Sequence, residues 1–156
     1  MTRALLLGLL LAGVVPVQAK KTEADYSEPD CESMGGIHAR GDVQTRMDTY
    51  PDCLVLERVT RATVDGETVL TTHKAVAWEY DWGSKPYEGL GQAIHYAALS
   101  GALPGVAVIL RDDKNAASDC RGVARLLAAV DYLEARGVKV RIRFLGSGVN
   151  DCFPEK

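Results

Sequence analysis

The sequence predicts an α/β domain whose mixed β-sheet is flanked by helices on both faces. Three observations predict it. GVAVIL, Gly105 to Leu110, is a continuous apolar run of strand length, the pattern of a strand covered on both sides. It lies between two stretches whose apolar residues recur at helical spacing. Further strands are signalled upstream by a β-branched pair of runs around Asp65-Gly66 and downstream by an alternating segment, and such an order of elements is that of an α/β domain with a mixed sheet.

Taken in order, residues 1–19, MTRALLLGLLLAGVVPVQA, combine one arginine, a small-and-aliphatic stretch and a Val-Gln-Ala end, the parts of a secretory signal peptide. Its apolar part, Ala4 to Val15, is shorter than the roughly 20 residues of a membrane helix, so no membrane anchor is expected. Residues 20–156 then form a single domain. KKTEADYSEPDCESMGG is a polar start with a short helix from Pro29 to Met34. Asp42 to Met47 alternates Val43, Thr45 and Met47, a weak strand, and DCLVLERV from Asp52 is a stronger one. RATVDGETVLTT reads as a hairpin, because Asp-Gly tolerates the positive φ of a two-residue turn. A further strand, Lys74 to Trp82, completes a meander.

After Ser84, Tyr87, Leu90, Ile94 and Ala97 or Ala98 mark a helix of about four turns, with Gly101 and Pro104 as the stop. GVAVIL follows. Ser118 or Asp119 is the expected cap of the next helix, striped by Val123, Leu126, Leu127, Val130 and Leu133, with Arg136 in its last turn and Gly137 beyond. VKVRIRF then alternates Val138, Val140, Ile142 and Phe144 with Lys139, Arg141 and Arg143, a half-buried strand.

Without the leader the chain has 137 residues, enough for one core, with 17 basic against 21 acidic residues and a net charge of −4. This balance argues against non-specific adhesion to nucleic acid or anionic membrane, which needs a positive field. The cysteines Cys31, Cys53, Cys120 and Cys152 all lie in the mature part, an even number that reads as two disulfides in an exported protein, periplasmic or secreted. Three pairings are open. Their spacing lacks the close pairs of a zinc site.

The densest chemistry sits in WEYDWGSKPYEGLGQAIHYA, residues 78–97. Alternation puts Glu79 and Asp81 on one strand face, over Ala75 and Ala77, while Trp78, Tyr80 and Trp82 face the other way. Two carboxylates about 7 Å apart along a strand can converge on one hard cation. Lys85 stands where strand gives way to helix, and Glu88, Gln92 and Tyr96 follow in one helical row. Gly89 and Gly91 each weaken a helix by about 1 kcal/mol, which predicts a close approach of its backbone to another surface.

From YPDCLVLE, starting at Tyr50, through AWEYDWGSKPYEGLGQAIHYAALSGALPGVAVIL, the chain resembles the PD-(D/E)XK nuclease-like superfamily. The resemblance is to small members that join an acid-Cys-Leu strand to an E-x-D strand, a lysine and an E-x-x-x-Q helix. It covers roughly residues 31–145, with its middle third the specific part. It implies a restriction-endonuclease-like α-β-β-β-α-β core. By position, Asp52 matches the acid of the "PD" element, Glu79 the acid of the (D/E)-X-K element, Lys85 a displaced form of its lysine and Gln92 the glutamine of the following helix. Asp81 stands where the usual lysine would be, and the helix-borne acid falls to Glu32 or Asp42.

What the resemblance implies is metal-assisted hydrolysis of nucleic-acid phosphodiesters. Asp52 and Glu79 would hold Mg²⁺ or Mn²⁺, Asp81 would be a further ligand or a base, and Lys85 would offset charge in the transition state. The contrasting expectation is a non-catalytic exported module that keeps the fold and uses the polar cluster for structure or a protein partner. Elsewhere the plain expectation comes first. His38, His73 and His95 have no partners at ligand spacing and are assigned surface or packing roles. Lys139, Arg141 and Arg143 are expected on a solvated sheet face, and Gly146-Ser147-Gly148 is not a phosphate loop.

Overall fold

A computed structural model of the chain describes residues 20–38, 51–64 and 67–154. The leader and the Asp42 to Met47 strand expectation lie outside the described residues. Helix α1, Ala24–Ser33, is followed by the short strand β1, Ile37–His38, and then by a long hairpin of β2, Cys53–Val64, and β3, Glu67–Trp82. Helix α2, Pro86–Ser100, leads to β4, Leu103–Ile109; helix α3, Ala116–Glu134, leads to β5, Arg141–Leu145; and α4, Val149–Cys152, is one turn. The sheet order is β1-β2-β3-β4-β5, antiparallel from β1 to β3 and parallel from β3 to β5. The mixed sheet is as predicted.

The two faces carry separate cores. On one, α2 and α3 bring Leu90, Ala93, Val123, Leu126 and Val130 onto Val106, Val108 and Leu110. On the other, Cys31 of α1 joins Cys53, Val55, Val76, Trp78, Tyr80, Ala107 and Ile109. The apolar run therefore feeds both cores alternately, which is why β4 shows no polar positions. Helices cover both faces as expected, and the bridges are Cys31–Cys53, joining α1 to β2, and Cys120–Cys152, joining α3 to α4.

Several boundaries differ from expectation for physical reasons. Helix α1 begins five residues before Pro29, with that proline inside it, because Tyr26, Cys31 and Met34 all pack on the sheet from this one helix. The expected meander of shorter strands is two long ones: DCLVLERV continues into RATV, and ETVLTT continues into the Lys74 to Trp82 strand. Val64 pairs with Glu67, and the Asp65-Gly66 turn expectation lies outside the described residues. Pro104 lies inside β4, and Gly101 in the left-handed region (φ 71°) is what ends α2. Tyr87, assigned to the apolar stripe of α2, is exposed, and Pro86 fills the buried position at its start.

Helix α3 starts two to three residues earlier than the Ser118 or Asp119 cap. Asp119 does not cap. It is wholly buried and accepts the Arg111 guanidinium at 2.9 and 2.6 Å, with the Arg111 backbone N–H at 3.1 Å. The basic row is solvated at Lys139 and Arg141, both exposed, and half-buried at Arg143, and two of its members also pair with acids. Arg143 donates to Asp30 of α1 at 2.6 Å and Arg141 to Glu57 of β2 at 3.1 Å.

Candidate functional site

The hairpin register assembles the acids. Cys53 pairs with Trp78, which brings Asp52, one residue earlier, opposite Glu79 although 27 positions separate them. The two carboxylates are fixed by each other's strands. The Asp52 N–H donates to Glu79 Oε1 at 3.2 Å, and the Tyr80 N–H donates to Asp52 Oδ2 at 3.1 Å. Glu79 is 4% exposed. Carboxylates held in this way by backbone amides are oriented before any ligand arrives, as the acidic ligands of a cation would need to be.

Asp81 lies two residues on, under α2. Its Oδ1 accepts the Trp82 N–H at 2.8 Å and its Oδ2 the Gly89 N–H at 3.1 Å. A Cβ on Gly89 would stand 3.1 Å from that of Asp81, so this glycine provides the close approach inferred from its place in the helix, whereas Gly91 faces open space. Burial raises the Asp81 carboxyl above its ordinary range, against the two amides that favour the charged form. Asp81 thus seats α2 on β3 through Oδ2, while Oδ1 is held by its own strand.

Further along α2, Tyr96 is half-buried, and its phenol is pushed up first by burial and then by the charges of Glu79 and Asp52. Lys85 and Gln92 are exposed. Lys85 lines a broad crevice of about 1070 Å³ at the carboxyl ends of the parallel strands, together with Trp82, Ser84, Arg111, Asn115 and Ser147. The lysine therefore opens into a different hollow from the acid pair.

Asp52 also borders a smaller hollow, about 240 Å³, with Ser27, Glu28, Glu32 and His38. Of the two helix-borne acids considered, Glu32 is placed beside Asp52, and Asp42 lies outside the described residues. His38 was not a candidate from sequence. Only the pairing of β1 with β2, His38 opposite Cys53, brings it here, and a two-residue strand leaves no periodic signal. Among the described residues no group of three or more His, Cys, Asp or Glu is set as a cation cage. The Asp52–Glu79 pair supplies two carboxylates, with no third such ligand set beside it among the described residues.

Fold and site together define a class: an α/β protein with an open mixed sheet, two disulfides and an amide-held carboxylate pair where β2 meets the end of β3. No protein-family model, curated protein or solved structure matches the chain. Among the described residues no helix is long and apolar enough to cross a membrane, and the bridged cysteines are consistent with an oxidising, exported location.

Proposed function

We propose that this is an exported metal-dependent phosphodiester hydrolase of nuclease-like type, acting on nucleic acid. The observation that carries the reading is the register that sets Asp52 against Glu79 beside the Glu32 hollow. The element order α1-β1-β2-β3-α2-β4 follows the α-β-β-β-α-β sequence of a restriction-endonuclease-like core and adds support. Asp52 and Glu79 would hold Mg²⁺ or Mn²⁺. When bound, such an ion polarises a phosphate and makes bound water a better nucleophile.

The chain's own residues have separable tasks. The Asp52 and Tyr80 amides orient the carboxylate pair. Asp81 fixes α2 over it, and α2 in turn carries Tyr96 past the acids. Lys85, at the start of that helix, offers positive charge to the nucleic-acid backbone rather than to the metal. A hollow of 240 Å³ is below the usual range of about 300–1,000 Å³ for whole-ligand pockets and suits a phosphodiester with its bases outside.

The second reading is a non-catalytic binding module, favoured by Lys85 lining a different hollow from Asp52. Supercoiled plasmid separates the two. With Mg²⁺ or Mn²⁺ the protein should nick it, and Glu79→Ala should abolish nicking while circular dichroism and both disulfides are unchanged. Nicking that persists in Glu79→Ala removes the site; a protein that neither nicks nor takes up Mn²⁺ supports the binding module.

A further inference from the structure

The hollow beside Asp52 contains a base that the superfamily resemblance does not supply. Its described lining residues are Ser27, Glu28 and Glu32 from α1, His38 from β1 and Asp52 just before β2, so among the described residues His38 is the one nitrogen base that lines it. Lys85, the expected lysine, lines a separate crevice at the start of α2. A water attacking a phosphodiester at the acid pair thus needs its proton acceptor from another residue.

His38 has the tautomer for that task. Its Nε2 lies 3.0 Å from the Glu28 carbonyl oxygen. A carbonyl oxygen only accepts, so Nε2 carries the hydrogen, and the neutral ring keeps its lone pair on Nδ1. A backbone carbonyl that fixes one ring nitrogen and leaves the other available is the usual support of a histidine that works as a base or ligand.

We infer that His38 is the proton acceptor for the attacking water, an inference that rests on the phosphodiester-hydrolase reading above. As the water oxygen bonds to phosphorus, its proton passes to Nδ1. The bond from phosphorus to the leaving sugar oxygen breaks, and that oxygen takes a proton from bulk water. The imidazolium returns its proton to solvent. Among the described residues, the charged groups that line the hollow with the ring are Glu28 and Glu32 from α1 and Asp52 just before β2, whose N–H donates to Glu79 of β3. All are acids, so the positive charge that the ring acquires is compensated.

The test uses the full chain with Mn²⁺ and plasmid or a labelled oligonucleotide. His38→Gln should lower kcat/KM by about 10²-fold or more, the range for loss of a general base. Mn²⁺ uptake, read by electron paramagnetic resonance, should fall by less than the roughly tenfold expected when support of a metal ligand is lost. His38→Ala should regain part of its rate with added imidazole, and long-range ¹H–¹⁵N spectra of the wild type should show the Nε2–H tautomer. Circular dichroism and intact disulfides confirm folding of both variants. A His38→Gln protein as active as wild type, or an Nδ1–H tautomer, overturns the role of His38 and leaves the hydrolase reading standing. A wild type that cleaves nothing removes both.

Discussion

Asp81 shows how one residue can be anticipated by type and decided by surroundings. It was expected to meet a cation, and its two oxygens instead take the Trp82 and Gly89 amides beneath α2. Because burial raises its carboxyl, the folded state binds a proton more readily than the unfolded chain does. Stability from this group therefore falls as pH rises from the ordinary value near 3.8 through the elevated folded one, and recovers on acidification. In urea melts, the difference between wild type and Asp81→Asn, which cannot titrate, should shift in favour of wild type as the pH is lowered from neutral. A difference that is constant with pH contradicts the buried-acid account. Tyr80 and Asp30 make a related point: the phenol donates to Asp30 at 2.9 Å, Arg143 donates to the same carboxylate, and none of these three residues has a sequence pattern that announces the other two.

At the scale of elements, glycines record which surfaces touch. A Cβ on Gly122 of α3 would lie 1.8 Å from the Gly83 carbonyl oxygen, a backbone atom at the β3–α2 junction that cannot step aside. Gly91 of α2 meets nothing within 4 Å. Gly122→Ala should therefore cost about 1–3 kcal/mol or more as α3 is forced off the junction. Gly91→Ala should instead add up to about 1 kcal/mol by helix propensity. Thermal unfolding of the pair checks this, and equal effects would mean that α3 does not pack as described. The Arg111–Asp119 pair ties the same junction, since Arg111 also donates to Ser84 at 3.1 Å and lies over the Trp82 ring at 4.8 Å. Periodicity revealed α2, β4 and α3 clearly because each buries a long apolar stripe. It missed β1 and the early start of α1, where two-residue pairing and a few contacts leave no repeat to detect.

At the scale of the whole molecule, the bridges close loops with separations of 22 and 32 residues, one on each side of the sheet. On loop-closure grounds each should contribute about 3 to 4 kcal/mol. Peptide mapping without reduction should find Cys31–Cys53 and Cys120–Cys152 and no free thiol, and reduction should lower the melting temperature markedly. Any other pairing would displace α1 from Asp52 and dissolve the hollow. The amino-acid sequence by itself determined the α/β class, the mixed sheet, helices on both faces, two disulfides and the grouping of Glu79 with Asp81, because apolar periodicity, Asp-Gly turn chemistry and strand alternation act over a few residues. Only the tertiary structure decided which cysteines pair, that Asp52 stands against Glu79, that Asp81 faces a helix, that Lys85 opens elsewhere and that His38 joins Glu32. Those depend on strand register and on the seating of helices over the sheet, which are set by packing between segments tens of residues apart.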